Sequence, residues 1–158
     1  MRWMVRLFLI SALFIPAARA QEGAAPQKPP EAYAPGLGDF MTAYVQPHHI
    51  KLYLAGHAKN WALAEYEAGE LRETFEDVTS YQGNWHDYPV ARLVKTNIDT
   101  PLGEVDQAIR EQNAGGFDKA FEKLTFACDA CHQAVNHPFL VIKVPTADAY
   151  PDQEFTPR

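Results

Sequence analysis

The sequence has few cysteines, a deficit of basic residues and no long hydrophobic run. Only 2 of its 158 residues are cysteine, and because they stand three positions apart they cannot join distant parts of a fold by a disulfide. The longest apolar run, Leu7 to Ile15, is about half of the ~20 residues that span a bilayer, which excludes an integral membrane protein. With 14 Lys+Arg against 20 Asp+Glu, the composition also argues against nucleic-acid binding.

The first 20 residues have the three parts of a cleaved export signal. Arg2 and Arg6 form the positive region, Leu7 to Ile15 the apolar region, and Ala18-Arg19-Ala20 a small-x-small cleavage site. We therefore expect cleavage after residue 20 and a periplasmic mature protein. Cleavage removes three arginines, so the mature chain is more acidic than the formal charge of −6 of the full sequence.

Composition divides the mature chain into three parts. Residues 21–37 combine prolines with small and polar residues and predict a disordered or extended lead-in. Residues 38–137 follow a helical period and have the length of one domain. Residues 138–158 are again rich in proline and predict an extended C-terminal tail packed on that domain.

Two helices are predicted in the first half of the domain. The first runs from Asp39 to about Gly56, with a kink expected at Pro47 because proline lacks an amide donor and clashes with the preceding turn. The second runs from Trp61 to Val78. Its outer face is predicted to be a solvated acidic surface, or a docking surface for a basic redox partner, formed by Glu65, Glu67, Glu70, Glu73, Glu76 and Asp77.

Two further helices are predicted after a long connection over residues 79–97. The third begins with Thr100 as N-cap and Pro101 as first helical residue. The fourth carries apolar residues at helical spacing from Phe117 and is stopped by Pro138. Four helices with mostly short links predict an all-α fold, specifically an antiparallel four-helix bundle with an extended C-terminal tail.

Residues 128–132 spell Cys-Asp-Ala-Cys-His, the CxxCH motif by which c-type haem is attached. Positions i, i+3 and i+4 share one helix face, so Cys128 and Cys131 can form thioethers with the two vinyl groups while His132 reaches the iron from the same side. A structural zinc site requires four ligands, and a second Cys or His pair with matching spacing is missing. A thioredoxin-like CxxC stands at a helix N-terminus, whereas these cysteines come late in a helix. We therefore predict one covalent haem c.

The position of this motif resembles that in class II c-type cytochromes, the family typified by cytochrome c′. The resemblance covers the helical region and implies an exported four-helix bundle with haem on its last helix. A looser resemblance, to uncharacterised exported bacterial c-type cytochromes, rests on His49-Ile-Lys-Leu-Tyr, Ala55-Gly56 and Asn60-Trp-Ala-Leu-Ala-Glu-Tyr-Glu. This second likeness implies no particular activity.

The iron's sixth ligand decides between functions, because two strong ligands favour electron transfer and an open position admits small gases. In an antiparallel bundle the start of the first helix lies beside the end of the fourth. The candidate distal ligands are therefore His49, ranked first on the second resemblance, then His48, then Met41, the only methionine after the signal.

These observations predict a non-enzymatic electron carrier whose acidic surface attracts basic redox partners. The alternative is a haem protein that binds nitric oxide or carbon monoxide at an open distal site, as cytochrome c′ does. A peroxidase-like enzyme is the third and least favoured hypothesis. Pairing of two copies into a homodimer remains an open alternative to a monomer.

Overall fold

The computed structural model describes residues 33–158; the predicted signal peptide and residues 21–32 of the predicted lead-in lie outside the described residues. No β-strand occurs between residues 33 and 158, and the prediction of an all-α fold is confirmed. The helical elements are α1 (Leu37–Phe40), a π turn (Met41–Val45), α2 (Gln46–His57), α3 (Trp61–Tyr81), α4 (Val90–Asn97), α5 (Asp99–Arg110) and α6 (Ala114–Ala134).

Near Pro47, where a kink was predicted, the structure has a π turn that immediately precedes α2. The amide of Gln46 donates to the carbonyl of Met41, five residues back. Pro47 then lies in the first turn of α2, where an absent amide hydrogen costs little. One extra residue is thereby inserted into the helix, as is common where a helix contributes to a functional site.

Two predictions for the middle of the chain are wrong. Residues 90–97 are not a loop but the helix α4, which buries Val90 and Val94 at a four-residue spacing. Thr100 is not an N-cap, because α5 already begins at Asp99. The chain passes from α4 through a single helical residue, Ile98, into α5, so no free helix terminus is present for a threonine to cap.

Two tight links of the same design join α2 to α3 and α5 to α6. In each link a left-handed residue (Lys59, φ 60°; Gln112, φ 52°) precedes an asparagine N-cap. The side chain of Asn60 accepts from the amide of Leu63 at 3.3 Å, and that of Asn113 accepts from Gly116 at 2.9 Å. Such capping satisfies amides at the start of a helix and fixes where it begins.

The core lies between four helices: α3 contacts α2 and α5, and α6 contacts α5 and α2. The largest completely buried apolar side chains are Leu52, Leu71, Val78, Leu102, Val105, Phe117, Phe121 and Leu124. Glu67 was predicted on the outer face of α3, but this was wrong, since only 2% of the residue is exposed. The remaining acidic residues of that face are at least partly exposed.

The tail after α6 has no regular secondary structure. Phe155 is buried, and Val144 and Tyr150 pack against the core. The ammonium of Lys51 on α2 lies 4.9 Å from the centre of the Tyr150 ring, a cation–π distance. Within residues 33–158 no helix is both long enough and apolar enough to cross a bilayer.

Candidate functional site

A partly open cavity of about 450 Å³ is lined by α1, the π turn, the start of α2, α3, the connection before α4, α4, the end of α6 and the first tail residues. This volume is typical of cavities that hold small molecules and cofactors. Most of its wall is apolar, including Leu37, Val45, Phe75, Trp85, Val90 and Ile142. The sulfhydryl and imidazole groups described next are therefore held in a largely apolar environment.

Cys128, Cys131 and His132 all line this cavity from the last two turns of α6. Burial raises the pKa of the Cys128 thiol to about 12, and burial also raises the pKa of Cys131. Both thiols are therefore protonated at neutral pH, unlike the low-pKa thiolate of a thioredoxin-type cysteine pair. The part of the chain that the structure describes contains no group of three or more Cys, His, Asp or Glu side chains suited to hold a bare metal ion.

The imidazole of His132 is oriented by the tail. Its Nδ1 lies 3.0 Å from the backbone carbonyl oxygen of Leu140. Because a carbonyl can only accept, Nδ1 carries the hydrogen, and in the neutral imidazole the lone pair is then on Nε2. Histidines that bind metals show this arrangement, in which a hydrogen bond at one ring nitrogen fixes the ring and makes the other a better ligand.

Met41 and His49 line the wall contributed by the first helical segment. His49 is 3% exposed, and its Nε2 lies 3.0 Å from Oγ1 of Thr125 on α6. The hydroxyl of Thr125 donates to the carbonyl of Phe121 at 2.9 Å, so its oxygen accepts from His49. Nε2 of His49 thus carries the hydrogen, and Nδ1 is the nitrogen with a lone pair.

His48, the second candidate, does not line the cavity. Its Nδ1 lies 2.7 Å from a carboxylate oxygen of the buried Glu67. The π turn explains the difference, because the inserted residue advances the helix by about 100°. A seven-residue spacing from Met41 would bring His48 to the same face of a regular helix, whereas the insertion brings His49 there.

Several residues of the site were not found by sequence reasoning. The tail residues Phe139, Leu140, Val141 and Ile142 form part of the wall, and Thr125 holds His49. Phe139 and Val141 are 73% and 63% exposed. Large apolar side chains exposed beside a cavity are typical of a binding site for an apolar group. The short apolar run from Phe139 to Val144 was the only sequence signal for this wall.

The residues present fit a covalently bound haem. The cavity offers two protonated thiols, one lone-pair nitrogen on each of the His132 and His49 rings, apolar walls and an apolar rim. Comparison of the chain with protein-family models, with curated proteins and with solved structures finds no match. The interpretation of the site therefore rests on its own geometry.

Burial of His49 makes stability depend on pH. Desolvation lowers its pKa from 6.5 to about 4, so between these values the unfolded chain binds a proton that the native state does not. In the apoprotein, stability is therefore expected to fall as pH drops from 6.5 to 4, by about 3 kcal/mol from this group. The measurement is urea denaturation of wild type and His49→Asn at intervals across this range.

The matched control for this measurement is His57→Asn, since His57 is on the same helix and its side chain is 64% exposed. We expect the free energy of unfolding of His49→Asn to change less between pH 6.5 and 4 than that of wild type. His57→Asn should show the same pH dependence as wild type. Equal slopes in wild type and His49→Asn would contradict the burial argument.

Proposed function

We propose that this chain is an exported c-type cytochrome that carries one covalently bound haem c and transfers electrons between redox partners. The observation that supports this most strongly is the cavity itself. It brings all three side chains of the CxxCH motif, Cys128, Cys131 and His132, to an apolar space whose wall also contains Met41 and His49. A haem held there would supply one-electron chemistry through its iron.

In this proposal the chain's own residues attach, orient and shield the group. The Cys128 and Cys131 sulfurs hold it covalently, and Nε2 of His132 is the proximal ligand. Met41 and Nδ1 of His49 are the candidate distal ligands. The apolar wall would limit the contact of water with a redox centre held there, which favours its less charged state.

The proposal extends to the architecture, which we infer to be an antiparallel four-helix bundle of the class II cytochrome type. The four packed helical segments 37–57, 61–81, 90–110 and 114–134 support it. The short asparagine-capped links also support it, because a three-residue link returns the chain alongside the preceding helix.

We further propose that the partners are proteins with basic docking surfaces. Glu65, Glu73, Glu76 and Asp77 are exposed on α3, and such a surface accelerates association with cationic partners at low salt. Export to the periplasm is part of the same proposal and depends on the signal-like sequence of residues 1–20.

The test is the intact mass of the protein after secretion from a bacterial host that has a working cytochrome c maturation system. We expect the mature chain beginning at Gln21 plus the mass of one haem, and a sharp low-spin absorption spectrum after reduction. The bare mass of the chain, found in a host that matures a control c-type cytochrome, would refute the proposal.

One observation favours the gas-binding alternative. Nε2 of His49 is engaged by Thr125, so His49 can act as a distal ligand only through Nδ1 or after this bond breaks. Carbon monoxide distinguishes the two functions. An electron carrier with two strong ligands should show little spectral change, whereas a prompt and complete shift on adding carbon monoxide to the reduced protein would favour gas binding.

A further inference from the structure

The tail is fastened to the attachment motif by a second hydrogen bond beside the one made by His132. Oδ1 of Asp129, the residue that follows the first motif cysteine, accepts from the backbone amide of Ile142 at 2.7 Å. Two residues earlier in the tail, the carbonyl of Leu140 accepts from His132 at 3.0 Å. The same short tail segment is thus bound to α6 at two points one helical turn apart.

The chain between these points returns through a compact turn. The amide of His137 donates to the carbonyl of His132 at 2.8 Å, and Asn136 adopts the left-handed conformation (φ 61°) that commonly ends a helix. The amide of Leu140 then donates to the carbonyl of His137 at 3.0 Å. Leu140 is therefore anchored on its N-terminal side by the turn and on its C-terminal side by Asp129.

We infer that Asp129 is a positioning residue for the proximal ligand: by holding the amide of Ile142, it keeps the carbonyl of Leu140 in place to accept from Nδ1 of His132. This inference rests on the proposed function, because it concerns the iron ligand of the proposed haem. Asp129 does not line the cavity, so it acts through the tail. A hydrogen bond at Nδ1 increases the electron donation of the imidazole and favours the ferric state.

Three variants distinguish an effect of Asp129 on the position of the Leu140 carbonyl from an effect of the Asp129 charge on the haem. Asp129→Ala removes both the acceptor and the charge, Asp129→Asn keeps an acceptor oxygen but removes the charge, and Ile142→Pro removes the amide donor while keeping the charge. The control is Asp118→Asn, which removes an exposed charge from the same helix about 16 Å away along its axis.

The first measurement is the reduction potential of the haem-loaded protein. Asp129→Ala and Ile142→Pro should both raise it, lowering the ratio of ferric to ferrous protein at a fixed potential by at most about fivefold, the shift expected if one hydrogen bond were made in the ferric state alone. Asp129→Asn should shift it less than Asp129→Ala, and Asp118→Asn should leave it unchanged. Equal shifts in the two Asp129 variants, or no shift in Ile142→Pro, would overturn the inference in favour of a charge effect alone.

The second measurement is hydrogen exchange of the Ile142 amide, which does not depend on haem. Wild type and Asp129→Asn should protect this amide, and Asp129→Ala should lose the protection. Failure of haem to attach to wild type would refute the proposed function while this exchange test still reports on the Asp129 contact. Attached haem with an unprotected Ile142 amide in wild type would refute the positioning role alone.

Discussion

Replacing both Cys128 and Cys131 by alanine is expected to abolish covalent retention of haem. Both Cys128 and Cys131 line the cavity, and the sequence contains no other cysteine that could form a thioether. The secreted double variant should have the mass of the bare mature chain, and any haem that it binds should be removed by acidified organic solvent. Each single variant keeps one attachment point and should retain haem in reduced yield.

The double variant should still fold. Cysteine packs as a small apolar residue, and its replacement by alanine removes one sulfur from a site that already faces the cavity. Ala130→Ser, which alters the motif without touching a thiol or the imidazole, is the matched control and should retain haem fully. Retention of haem through denaturation by the double variant would show that attachment occurs elsewhere.

His132→Gly separates attachment from ligation. The variant keeps the thiols of Cys128 and Cys131, so its mass should still include haem. The low-spin absorption spectrum should be lost. Added imidazole should restore it by occupying the space that the side chain leaves. This combination of retained mass and rescued spectrum is expected only if His132 is an iron ligand.

That Cys128, Cys131 and His132 face one side of α6 was predictable from sequence because the geometry is local. Three residues within one helical turn share a face wherever the helix lies, and the helical period over residues 117–135 placed the motif on a buried face. The same reasoning identified α3, whose apolar residues alternate regularly. The same reasoning missed α4. This helix has only eight residues, and the segment before it, which contains Gly83, Trp85 and Pro89, has no regular apolar spacing.

The opposite wall was harder to predict because its geometry depends on an inserted residue. Spacing counted along a regular α-helix groups Met41 with His48, and the π turn changes this to Met41 with His49. No sequence pattern marks the insertion apart from the proline that follows it. Contacts distant in sequence, such as His49 with Thr125 and Asp129 with Ile142, are likewise absent from any local pattern.

The buried carboxylate illustrates the same limit. Glu67 follows Glu65 and precedes Glu70 in a helix whose outer face is acidic, so its charge favoured an exposed position. In the structure His48 supplies a hydrogen-bonding partner 2.7 Å away, and a buried carboxylate is tolerated when it is paired. That partner comes from the residue that the π turn rotated away from the cavity.

Gly56→Ala is expected to destabilise the fold. Gly56 is buried near the end of α2, and a Cβ atom there would overlap three atoms of the Phe117 ring. Phe117 is fully buried and packs against Trp61 and Phe121 at ring-centre distances of 6.1 and 5.9 Å. The ring therefore cannot move aside without displacing its neighbours.

The size of the effect follows from two opposing contributions. Alanine in place of glycine in a helix normally stabilises by about 0.5–1 kcal/mol, whereas overpacking a core costs about 1–3 kcal/mol and occasionally more. Three overlapping atoms against a fixed ring make the steric cost dominate. We expect the free energy of unfolding to fall by about 2 kcal/mol, measured as a lower urea midpoint with an unchanged slope.

Gly69→Ala provides the matched control, since Gly69 is inside α3 and a Cβ there would meet no atom within 4 Å. This substitution should raise stability by about 0.5–1 kcal/mol because only the helix contribution remains. Combining Gly56→Ala with Phe117→Leu should restore part of the loss, since the smaller side chain makes room for the new methyl group and the two effects are not additive. Equal stabilisation by Gly56→Ala and Gly69→Ala would contradict the close approach of α2 to the Phe117 ring of α6.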